Sequence, residues 1–131
     1  MISRVMLIAA GFAVAASFAV QARAGGADDY TFEPVKPQLQ KGDATIGVRL
    51  VQKSTSKPVA NAVIVRSRID MGPDGMPTMD SSLTPEPSDE PGVYSFKTNL
   101  PMAGHWLLSI AAKVQGEPET VVGKITYTVT P

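Results

Sequence analysis

An apolar and polar alternation with a period of two, repeated in short segments separated by proline and glycine, narrows most what this chain can fold into. Residues 44–52 place Ile46, Val48 and Leu50 on one side and Thr45, Gly47 and Arg49 on the other. Residues 105–114 set Trp106, Leu108 and Ile110 against Leu107, Ser109 and Ala111, and residues 121–129 set Val121, Gly123, Ile125, Tyr127 and Val129 against Val122, Lys124, Thr126 and Thr128. Successive side chains of a strand point to opposite faces, so each segment reads as a half-buried strand. Two further strands are expected at residues 59–69, where Val63 and Val65 alternate with Ala62, Ile64 and Arg66 and both faces are partly covered, and at residues 93–98, where Tyr94 and Phe96 share a face.

The intervening segments break such strands. Residues 70–91 hold Pro73, Pro77, Pro85, Pro87 and Pro91, and proline has no N–H for a central ladder. Residues 25–41, with Gly-Gly, Asp-Asp, Pro34 and Pro37, read as an extended leader with a short edge strand at residues 30–33. No helical period of useful length follows residue 24. Short strands with turn signals about every ten residues predict an all-β fold, an immunoglobulin-like antiparallel β-sandwich over residues 42–131, with Trp106 buried against Phe96 or Tyr94.

Residues 1–24 are a separate object. Arg4 precedes an apolar run from Val5 to Val20, and Ala22-Arg23-Ala24 is an A-x-A cleavage site, so the segment reads as a secretory signal peptide cut after Ala24. The expected location is therefore periplasmic or secreted, with no membrane span after cleavage. Cleavage removes Arg4 and Arg23 from twelve basic side chains, against twelve acidic ones, and leaves a net charge of −2. That balance gives no basic surplus to neutralise phosphates, so nucleic acid is not an expected partner. Cysteine is absent, which removes thiolate ligands and a Cys nucleophile.

Four methionines remain outside the signal segment, and none is expected at an alternating core position. Met71, Met76 and Met79 fall in the loop Asp70-Met-Gly-Pro-Asp-Gly-Met-Pro-Thr-Met, and Met102 lies just before the only histidine, His105. Loops at one end of a sandwich cluster in space, so the loop at residues 70–82 and the turn at residues 100–105 are expected at the same end. Thioether and imidazole are soft or borderline neutral donors, which suits Cu(I) before any hard cation. The competing reading makes these methionines flexible fillers packed under a loop. Asp70, Asp74 and Asp80 lack the order of a calcium loop and read as solvated turn carboxylates. With one histidine, no G-x-S-x-G elbow, no H-E-x-x-H and no phosphate loop, catalysis is not expected.

The segments Gly47-Val-Arg-Leu, Lys57-Pro-Val-Ala-Asn-Ala-Val, Ile69-Asp-Met-Gly-Pro-Asp-Gly-Met, Glu90-Pro-Gly-Val-Tyr-Ser-Phe and Leu100-Pro-Met-Ala-Gly-His-Trp-Leu-Leu resemble the YtkA-like domain family, to which FixH-type exported proteins are similar. The resemblance covers about residues 42–130. It implies an exported immunoglobulin-like sandwich, and for FixH-type members an association with copper supply to respiratory oxidases. It also implies that Met71, Met76, Met102 and Trp106 stand where the family keeps its Met-rich loop and Met-x-Gly-x-Trp turn. FixH-type proteins usually retain a membrane anchor, whereas residues 1–24 here read as cleaved, with an uncleaved anchor as the competing reading. The expectation is a non-catalytic copper-binding or copper-transfer module using Met71, Met76, Met79, Met102 and His105, with a copper-handling or membrane protein as partner. The alternative from the residues is an exported interaction domain without metal.

Overall fold

A computed structural model describes residues 26–131; the expected signal segment lies outside the described residues. Ten strands follow one another: β1 Tyr30–Pro34, β2 Gln38–Gln40, β3 Gly42–Gln52, β4 Lys57–Pro58, β5 Ala62–Met71, β6 Met76–Ser81, β7 Thr84–Glu86, β8 Val93–Leu100, β9 Gly104–Val114 and β10 Val121–Thr130. Single 3-10 turns occupy Ala27–Asp29 and Gly72–Asp74. No helix among the described residues is long and apolar enough to cross a membrane.

Two sheets form an immunoglobulin-like β-sandwich. One has the order β1-β3-β8-β7 with β4 also on β3, and the other has the order β2-β10-β9-β5-β6. Every pairing is antiparallel except β2 with β10. The alternating sides read from the sequence meet in the middle: Ile46, Val48 and Leu50 from β3, Phe96 and Leu100 from β8, Trp106, Leu108 and Ile110 from β9, and Ile125, Tyr127 and Val129 from β10 are all buried in one core. Trp106 is fully buried in the same cluster as Phe96, with Tyr94 packed at its margin. The Tyr127 hydroxyl donates to the Gly47 carbonyl at 3.1 Å, which ties the sheets together and satisfies a phenol inside the core.

Residues 26–41 contribute an edge strand to each sheet. β1 runs along β3 and sends Phe32 against Gly123, where a Cβ would lie 2.6 Å from the Phe32 ring. β2 pairs in parallel with the end of β10. The proline-rich stretch supplies only the outermost strands β6 and β7, where one side of the backbone needs no partner. In β5, the register shifts between Ile64 and Arg66, and this bulge leaves Val63 and Val65 exposed where partial cover was expected.

Candidate metal site at one end of the sandwich

β5 continues two residues beyond Ile69, and this extension decides where the first methionine goes. Ile69, Asp70 and Met71 are all buried, so Met71 is a core residue of a strand, contrary to the expectation that none of these methionines would be one. Asp70 lies under the turn: its Oδ1 accepts the Gly72 N–H at 2.8 Å and its Oδ2 accepts from Arg68 Nε at 2.9 Å. Arg68 also reaches Asp80 at 3.0 Å and the Pro77 carbonyl at 2.7 Å. These bonds fix both arms of the hairpin, so Asp70 is a buried brace rather than a solvated turn carboxylate, while Asp80 stays half exposed and paired with Arg68.

The hairpin then reverses through Gly72-Pro-Asp-Gly75. Pro73 suits the second 3-10 position and Gly75 takes φ 78°, a left-handed conformation open to glycine. Met76 returns directly opposite Met71. The register shifts again between Asp70 and Met71, with Asp80 opposite Asp70, so residues 77–79 bulge from the ladder. Met79, inside that bulge, is half-buried against the core.

Asp74 joins this turn to β9. Its Oδ2 accepts the His105 backbone N–H at 2.7 Å, and its Oδ1 meets the His105 Nδ1 at 2.9 Å. Gly104 makes the approach possible, because a Cβ there would fall 2.5 Å from Asp74 Oδ2 and 2.6 Å from the Met71 methyl carbon. On the other side of Gly104, the Met102 carbonyl accepts from Trp106 Nε1 at 3.0 Å, so the buried indole holds the turn that carries Met102. The loop and the turn therefore lie at one end of the sandwich, joined by the Asp74–His105 contacts and by the Met71 methyl against Gly104, with Met76 opposite Met71 on the hairpin and Met102 in the turn before β9. Met79 shares the hairpin but packs inward.

The electrostatics follow from the geometry. Two hydrogen bonds from His105, the backbone one first and the ring one second, hold the Asp74 carboxyl below its ordinary value. An ionised carboxylate only accepts, so the neutral imidazole carries its hydrogen on Nδ1 and keeps the Nε2 lone pair. A histidine oriented by a carboxylate through one nitrogen has the other free for a metal. His105 is more than half exposed. Met76 and Met102 are 36% and 39% exposed, so neither thioether is filling a core gap. Among the described residues no three of His, Cys, Asp and Glu are grouped to hold a metal ion. Sequence reasoning missed Asp74, although the Pro-Asp-Gly turn in the loop and the Gly preceding His105 were its signals.

The YtkA-like family model matches residues 25–111 of this chain. No curated protein matches it. Among solved structures, the filamin domain of Lin-41 is similar at 14% identity and TM-score 0.49, over 82% of this chain and 94% of that one. The Yersinia pseudotuberculosis adhesin InvE is similar at 15% identity and TM-score 0.44, over 84% of this chain and 29% of that one.

Proposed function

The chain belongs to the YtkA-like family, and from that premise we propose that it is an exported, non-catalytic module that binds Cu(I) or passes it to a copper-handling or membrane protein. The observation that carries the reading is the Asp74–His105 pair, which occupies Nδ1 of a surface imidazole at the end of the sandwich whose hairpin and turn also carry the exposed Met76 and Met102. Thioether and neutral imidazole match a soft monovalent ion, and the donor set has no charged sulfur to make release slow. His105, Met76 and Met102 are the accessible donors, whereas Met71 is buried in the core. Met79 would have to leave the core to take part and contributes least.

Cu(I) is cargo in this reading, so the chain's residues need only hold it, keep water and hard ions from competing, and let it go. Competition with a coloured Cu(I) chelator tests it on the exported protein. Binding of a single Cu(I), weakened by replacing Met76 together with Met102, supports the reading; no binding against the chelator overturns it. An exported interaction domain without metal is the second reading, favoured by the exposed valines and cations on the outer face of the second sheet.

A further inference from the structure

On the solvent side of the second sheet, the antiparallel register sets Arg66 opposite Ala111 and Ala111 opposite Val122. In the next outward row Arg68 faces Ser109, and Ser109 faces Lys124. These residues line a groove of about 550 Å³. Buried Ala111 and half-buried Ser109 form its bottom, while Arg66, Lys124 and Val122 stand exposed at its sides. Beyond it, Val63 pairs with Lys113.

Three features of this face are unusual for a strand surface in water. Val63 and Val122 are 62% and 69% exposed, and the bulge turns Val65 outward as well. Arg66, Lys113 and Lys124 have no ion pair among the described residues, whereas Arg68 is held by Asp70 and Asp80. No carboxylate lines the groove. The chain as a whole has as many acidic as basic side chains, so the positive surplus is local.

We propose that this groove docks a segment of a partner protein in which carboxylates are interspersed with small apolar side chains. Carboxylates would meet Arg66 and Lys124 across the groove, and an apolar side chain between them would cover Ala111 and Val122. A second copy of this chain fits poorly, because twofold pairing on this face brings like charges together. Residues 1–24 carry two arginines and no carboxylate, so they do not complement it either. A membrane surface lacks its usual anchors here, since Trp106 and Tyr127 are buried. The proposal does not rest on copper binding. His105, Leu107 and Ser109 are successive outward positions of β9, so a partner seated in the groove also lies next to the His105 end.

The test uses the exported protein without copper and a fluorescein-labelled peptide of alternating Glu and Val, with an alternating Lys and Val peptide as control. The expected result is saturable binding of the acidic peptide alone, weakening with added salt, with amide shifts at Arg66, Ala111, Val122 and Lys124. The double substitution Arg66→Glu and Lys124→Glu should weaken binding by about tenfold or more while thermal unfolding stays unchanged, since both side chains are exposed and unpaired. Absence of saturable binding overturns the proposal. So does preferential binding to phosphatidylglycerol vesicles, or self-association in sedimentation equilibrium that the double variant abolishes.

Discussion

Asp74 grips His105 at two points, the backbone N–H at 2.7 Å and the ring Nδ1 at 2.9 Å, and so fastens the turn after β5 to the start of β9. The ring contact selects the tautomer, and the backbone contact places it.

A pH dependence follows from the lowered Asp74 carboxyl. Its folded value lies below the ordinary 3.8, so its stabilising contribution is fully present above 3.8 and is lost as pH falls through the lower folded value. The side-chain carboxyl carbon resonance of Asp74 should titrate below that ordinary value. Movement of that resonance with an ordinary or raised carboxyl titration would contradict the double hydrogen bond.

Asp74→Asn keeps the size of the side chain and removes its charge. Loss of a carboxylate that orients a histidine ligand costs roughly tenfold to a hundredfold in metal affinity, and Cu(I) competition should show a loss in that range. Unchanged affinity would remove Asp74 from the site.

Gly104→Ala tests the close approach. The new Cβ would meet Asp74 and the Met71 methyl, and φ is 142°, so the turn must move or strain. A stability loss of about 1–3 kcal/mol is expected in denaturant unfolding, with the His105 amide displaced. A neutral substitution would mean that the turn does not press on β9.

The methionines separate by burial. Met71→Ala should cost about 2–4 kcal/mol, because Met71 is 1% exposed in the core. Met76→Ala and Met102→Ala should each stay within about 0.5 kcal/mol, as surface changes do. Chemical denaturation of the three variants checks the order, and a large loss for Met76 or Met102 would make them packing residues.

Trp106→Ala should cost about 3–5 kcal/mol, and the native fluorescence maximum should be that of a buried indole. An emission maximum typical of water would contradict the β9 register, in which Trp106 faces the core opposite Tyr127.

What was legible in the sequence was whatever alternation encodes. β3, β9 and β10 are one-sided strands, so Ile46, Val48, Leu50, Trp106 and Tyr127 declared their inward side by spacing alone. The exposed Val63 and Val65 were not legible, because a bulge changes the phase of β5 and hydropathy does not mark it. The parallel pairing of β2 is a long-range choice between edges, and three residues with one buried leucine carry little local signal. At the candidate site, the residues of the loop and the turn could be named, yet the division between buried Met71 and exposed Met76 depended on how far β5 runs. Asp74 was hidden because a carboxylate in a Pro-Asp-Gly turn looks the same whether it faces water or a neighbouring strand.

We propose Met76, Met102 and His105 as one soft-metal site at this end of the sandwich. Titrating Cu(I) into protein labelled at the methionine methyl carbons and the histidine nitrogens, under strictly anaerobic conditions, tests it most directly. The expected result is that the Met76 and Met102 methyl signals and His105 Nε2 shift together and saturate at a single Cu(I) per chain, while Nδ1 stays bonded to Asp74. Shifts that leave His105 unmoved, or methionine signals that drift without saturating, would contradict it.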